Sequence, residues 1–246
     1  MKKGRQDRIA ETLTKIAIEK EIQIVICIDE FQQISDFEDS KTFQKKLRSV
    51  WQLQQHVSYC LFGSKKHLMN ELFEKKNLPF YKFGDAIYLT KIETKYWIEY
   101  ICKRFENTGK HISPELAEEI CRLVDNHSSY VQQLSWLLWI RTINTATTEQ
   151  LTYALEDLLD QNNILFQSET ENLSAYQMNF LKAIVDGIHT KFSSKEVISK
   201  YNLGTSANIV RLKNALLQKE LIETNGKEIV LADPVFGVWF KKEMLY

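Results

Sequence analysis

The 246 residues carry 32 basic and 32 acidic side chains, with 44% hydrophobic and 11% aromatic content. That balance excludes a global field that would recruit nucleic acid, membrane or acidic substrates, and the length allows two or three compact units with cores of their own. No C-x-x-C spacing and no apolar run of membrane-spanning length occur, so Cys27, Cys60, Cys102 and Cys121 read as reduced core residues of a cytoplasmic chain with no membrane partner.

Met1-Lys2-Lys3-Gly4-Arg5 leads into an amphipathic stretch, not an apolar one, and is not read as a secretory signal. Ile9, Leu13, Ile16 and Ala17 recur at helical spacing and predict a helix over residues 6–19. Next comes E-I-Q-I-V-I-C-I-D-E-F-Q-Q-I, residues 21–34, whose apolar run over 22–28, mostly β-branched from Ile24 to Ile28, predicts a buried parallel strand, ordinarily covered on both faces. It ends in Asp29 and Glu30. Open α/β sheets bind ligands at the carboxyl ends of their strands, so this acid pair is placed to face one; capping of a following helix is the alternative.

Phe43, Leu47, Val50, Trp51 and Gln54 mark a helix over about 41–55, and Val57 to Phe62 a second buried strand ending in Gly63-Ser64. Residues 65–80 read as poorly ordered or partner-facing, since Asn77-Leu78-Pro79 breaks any helix, and 81–89 as a third strand nearer an edge. Thr90-Lys91-Ile92-Glu93 has the pattern of a capping box and announces a helix through Phe105. From there only helices follow: one behind Ser113-Pro114, a very apolar one over 130–140, and one opened by Thr147-Thr148-Glu149-Gln150.

After residue 171 the rhythm changes. A helix around Tyr176 to Ile184, a short one capped by Ser193-Ser194, a third over about 205–219 and a hairpin turning at Asn225-Gly226 make the plan of a winged helix. The third helix turns Asn208, Arg211 and Gln218 outward. Ten Lys and Arg stand against eight acids over 171–246, so Arg211, Lys213 and the wing's Lys227 are the candidate DNA contacts, with solvated charge on an interaction module as the other reading.

Four segments together resemble the archaeal-type ATPase family of the signal-transduction ATPases with numerous domains, a branch near AAA+. They are Val25-Ile26-Cys27-Ile28-Asp29-Glu30-Phe31, Leu61-Phe62-Gly63-Ser64, Asn126-His127-Ser128-Ser129-Tyr130-Val131-Gln132-Gln133-Leu134, and Asp233-Pro234-Val235-Phe236-Gly237-Val238-Trp239-Phe240. The resemblance covers nearly the whole chain. It implies an α/β P-loop NTPase sheet over 1–91, incomplete here, then an all-α lid over 92–170 and a winged helix over 171–246, mainly α overall. It also implies ATP and Mg²⁺ as cofactors, with the first segment as Walker B. Asp29 would hold the metal, Glu30 would orient the attacking water and Ser64 would sense phosphate; Asn126 and His127 would lie on the lid's nucleotide side.

Two departures qualify this. The family's lid motif carries a proline where this chain has Ser128-Ser129. No G-x-x-x-x-G-K-[ST] occurs anywhere, so the amides and lysine that cradle phosphates are missing from these residues. The chain therefore reads as the carboxyl-terminal part of a switch ATPase, truncated and unable to hydrolyse ATP alone. The alternative is a non-enzymatic winged-helix module that binds DNA or protein. Loss of a central strand leaves a sheet edge exposed, which predicts a protein partner or self-association there.

Overall fold

The structure, a computed structural model, describes residues 5–245. The chain divides into two compact units, Met1–Tyr88 and Leu89–Tyr246. The first runs α1 (Arg5–Glu19), β1 (Ile24–Ile28), a 3-10 segment (Phe31–Asp36), α2 (Ser40–Trp51), β2 (Val57–Leu61) and α3 (Lys66–Glu74). β1 and β2 pair in parallel, Ile24 opposite Val57 through Ile28 opposite Leu61, so both strands end on the same side of the unit. Helices α1 and α2 pack together, and α1 also packs on β2. Gln54 ties them, donating from Nε2 to the Ala10 carbonyl at 3.0 Å and to Thr14 Oγ1 at 3.1 Å.

The core of this unit is aromatic. Phe31, Ile34, Trp51, Leu72 and Phe80 are buried together, with Phe31 edge-on to Phe80 at 5.3 Å and Trp51 stacked on Tyr59 at 4.1 Å. Several expectations give way here. The stretch 65–80 is not loose: Met69, Leu72 and Phe73 fall at helical spacing on α3, and Phe80 beyond the proline is fully buried. No strand forms over 81–89. Phe83 turns back to Phe80, and Ile87 and Leu89 stay 85% and 93% exposed, because the sheet has only two strands among the described residues and offers this segment no ladder.

Nor is β1 buried on both faces. Its burial alternates, Val25 is 64% exposed, and Cys27 and Cys60 are exposed rather than core. Only the face bearing Ile28, Tyr59 and Leu61 packs on the aromatic cluster. On α1 it is Ala10 and Ala17 that are buried, while Ile9 and Ile16 face outward.

The second unit is α4 (Thr94–Glu106), α5 (Pro114–Leu123), α6 (Ser128–Arg141), α7 (Thr148–Glu171), α8 (Ala175–Val185), α9 (Lys195–Lys200), α10 (Ser206–Gln218), a β3–β4 hairpin (Ile222–Asn225, Glu228–Leu231) and α11 (Pro234–Leu245). The capping box expected at Thr90 does not form: α4 starts later, with Glu93 at its N-cap and no side-chain cap. The one at Thr147 does form, Thr147 and Gln150 exchanging hydrogen bonds, and Ser174 with Gln177 repeats it on α8. Ser113 caps α5 ahead of Pro114. In the hairpin Asn225 pairs with Glu228, so Gly226, at φ 62°, and Lys227 form the two-residue tip.

One apolar core runs from α4 through α11 without interruption. Helix α7 continues to Glu171, and its Phe166 sits edge-on to Phe236 of α11 at 5.4 Å and beside Trp239 at 5.6 Å. The terminal helix α11 is an element that the sequence reading does not contain. Its stripe of Val235, Phe236, Trp239 and Phe240 is fully buried, which closes the winged helix against α7 and α8.

Candidate functional site

The parallel register places the carboxyl ends of β1 and β2 side by side, and with them the acid pair and Gly63-Ser64. Glu30 adopts a left-handed backbone, φ 49° and ψ 40°, a conformation that costs a non-glycine residue about 1 kcal/mol. The turn is held from both sides. The Glu30 N–H donates to Asp29 Oδ1 at 2.8 Å, and the Phe31 N–H donates to the Phe62 carbonyl at 3.0 Å. Thus aimed, the Glu30 carboxylate accepts from Ser64 Oγ at 3.0 Å and from Gln32 Nε2. Asp29 itself is exposed.

Gln32 escaped the sequence reading. It is only 2% exposed, its amide nitrogen serves Glu30, and its Oε1 has no protein partner. The available signal was two glutamines between Phe31 and Ile34, the first at a position that turns inward. Gly63 makes room for it: a Cβ there would stand 1.9 Å from Gln32 Oε1. Glycine at 63 is thus needed for close approach, and any side chain would push Gln32 off Glu30.

The structure therefore brings Asp29, Glu30 and Ser64 into one cluster of the first unit. Asn126 and His127 lie in the second, at the turn before α6. Asp125 and Asn126 are both left-handed there, Asn126 is bonded to Thr94 through its side chain at 3.1 Å, and His127 Nδ1 is buried without a partner. Arg211 is exposed on α10 and grips Asn208 Oδ1 at 2.7 Å, Lys213 is half-buried one turn away from Leu216, and Lys227 is exposed at the hairpin tip.

The segments 126–134 and 233–240 meet through a bond that sequence alone does not pair. Tyr130 of α6 donates its hydroxyl to Asp233 Oδ2 at 2.5 Å, while Asp233 Oδ1 accepts from the N–H groups of Val235 and Phe236 at 2.7 and 3.0 Å. One carboxylate caps α11 and clasps α6. Burial first, and the Asp233 hydrogen bond second, push the Tyr130 phenol far above its usual range.

Glu169 lies in the same field, its carboxyl raised by burial and then by the charge of Asp233. A carboxyl raised in the folded state destabilises that state once ionised, so stability falls as pH rises from the usual carboxylate range through the raised value. Glu169→Gln is accordingly expected to stabilise the protein at pH 7 and to lose that advantage below about pH 4. Denaturant midpoints across this range measure it; a pH-independent difference would contradict it.

Residues 164–242 match a family described as "Probable winged helix domain". A Walker-type ATPase of Pyrococcus abyssi superposes with a TM-score of 0.73 at 17% identity, over 98% of this chain and 69% of that one. The chain has the fold of a P-loop ATPase with a winged helix at its carboxyl end. Two further structures match more loosely: the ORC2 protein of Aeropyrum pernix, in ADPNP and ADP complexes, with a TM-score of 0.48 at 12% identity over 100% of this chain and 71% of that one, and the RuvB Holliday junction branch migration motor of Thermotoga maritima, with 0.45 at 14% over 94% and 73%. No curated protein sequence matches. Within this ATPase fold the acid pair stands at the carboxyl end of one of two neighbouring parallel strands.

Proposed function

We propose that this chain is the carboxyl-terminal part of a switch ATPase of the archaeal-type signal-transduction class, bearing its Walker B strand but unable to hydrolyse ATP alone. The observation that supports this reading is the contact between Ser64 Oγ and Glu30 across the ends of adjacent parallel strands. In it Asp29 is the metal-side carboxylate, Glu30 the water-orienting one, and Ser64 the hydroxyl that reports on what Glu30 faces. Asn126 and His127 are the lid residues nearest this role by resemblance, though the bond to Thr94 already engages Asn126.

The residues fit the cofactor only in part. ATP with Mg²⁺ supplies a phosphoanhydride whose cleavage can drive a conformational change. The exposed Asp29 suits the metal, but the 246 residues hold no Gly-rich lysine loop for the phosphates, and Glu30 is already occupied by Ser64 and Gln32. Titration of the chain with a fluorescent ATP analogue and Mg²⁺ is expected to give no saturable binding; saturation removed by Asp29→Ala would overturn the inactive reading.

A second reading rests on the winged helix. Arg211 on α10 and Lys227 at the wing tip are both exposed, an arrangement that suits duplex DNA, while the modest net charge suits a protein partner equally. Each phosphate contact contributes about −0.9 to the slope of log affinity against log salt. If DNA is the partner, Arg211→Ala and Lys227→Ala should each flatten that slope by about one contact in duplex-binding titrations. A slope unchanged in both would favour the protein partner. Among the described residues the outer edges of the two-stranded sheet have no strand partner, which supports self-association as the route by which the first unit completes itself.

A further inference from the structure

Cys27 and Cys60 face each other across the parallel pair. They are direct register partners, and residues paired this way put their side chains on the same side of the sheet. That side is the open one: both cysteines are exposed, flanked by Val25 and Ser58, which are exposed too. The remaining cysteines are of another kind. Cys121 is buried on α5, its thiol pushed up to about 11 by burial, and Cys102 is half-buried on α4 with its thiol also raised by burial. Only the pair on the sheet combines exposure with a second thiol alongside, and accessible thiols are the ones that oxidise.

Neighbouring strands lie about 4.8 Å apart, inside the roughly 4.4–6.8 Å between α-carbons that a disulfide spans. We propose that Cys27 and Cys60 form a redox-sensitive dithiol, an oxidation site on the open sheet face that a peroxide closes to a reversible cross-strand disulfide. One thiolate attacks the peroxide; an S–O bond forms, the O–O bond breaks, and the departing hydroxide takes up a proton as water. The facing thiol then attacks the sulfenic sulfur; the S–S bond forms, the S–O bond breaks, and a second water leaves. In sum two thiols lose two electrons and two protons, and one hydrogen peroxide becomes two waters.

The spacing also makes the link labile. Strands about 4.8 Å apart hold the β-carbons wider than the ~3.8 Å of a relaxed disulfide, and strained, exposed disulfides are the easily reduced ones. Closing it would draw β1 toward β2 two residues before Asp29 and three before Gly63. Oxidation would therefore act on the spacing between the acid pair and Ser64.

The test treats the fully reduced chain with limiting hydrogen peroxide, alkylates the remaining thiols after unfolding, and maps the peptides by mass spectrometry. A Cys27–Cys60 linked peptide is expected, reversed by dithiothreitol, with Cys102 and Cys121 recovered alkylated. In Cys27→Ser, Cys60 should stop at a sulfenic acid trapped by dimedone. The map on the unaltered chain decides the matter even if that variant folds poorly. Independent oxidation of the two cysteines, a link between chains or to Cys102 or Cys121, or no reaction would each overturn the proposal.

Discussion

Trp239→Ala should lower the stability of the Leu89–Tyr246 unit by about 4 kcal/mol, within the usual range for emptying a buried aromatic site. Trp239 is 1% exposed, and its ring lies 5.6 Å from Phe166 of α7 and 5.8 Å from Phe236 one turn back. Truncation would open a cavity between α7 and α11 that the flanking aromatics, packed among themselves, are too rigid to fill. It would also strand Asn163, whose Oδ1 accepts from the indole Nε1 at 2.8 Å. Trp239→Phe keeps most of the volume and loses the donor, so it should cost only about 1–2 kcal/mol. Denaturation followed by far-ultraviolet circular dichroism separates the two. Equal losses would mean that the hydrogen bond, and not the packing, holds α11 in place.

Asp233→Ala is expected to cost about 2–4 kcal/mol, more than an ordinary helix cap. Removing a cap typically costs about 1 kcal/mol. Here the same carboxylate also receives the Tyr130 hydroxyl, half-buried on α6, and leaving such a donor without an acceptor adds about 1–3 kcal/mol. Because both oxygens are used, the two contributions can be divided. Tyr130→Phe removes the clasp but leaves the cap, and in that background Asp233→Ala should fall back to about 1 kcal/mol. Additivity in the double mutant would show that Tyr130 and Asp233 act independently, against the bond between them.

Much of this fold was legible because its signals are local. The β-branched run of β1, the Thr147 capping box, the Ser113-Pro114 start of α5 and the Asn225-Gly226 turn each state their conformation within a few residues. What failed depended on partners. Residues 81–89 have the composition of a strand, yet a strand exists only where another offers its ladder. Cys27 and Cys60 read as core because a parallel strand is ordinarily covered on both faces, and no residue type announces that one cover is missing. The acid pair and Ser64 were visible as strand ends, while Gln32 was not, since its role depends on space that Gly63 leaves just beyond the end of β2. Tyr130 and Asp233 were each noticed, 103 residues apart; only folding could show that they touch.

The two cores differ greatly in extent, and with them the free energy that resists opening. The first unit rests on a handful of buried side chains around Phe31, whereas the second is continuous from Trp97 to Phe240. Local opening is drawn from the weaker end of such a gradient. The acid pair therefore sits in the smaller unit, Met1–Tyr88, whose backbone amides should exchange with solvent sooner than those of α7 and α11.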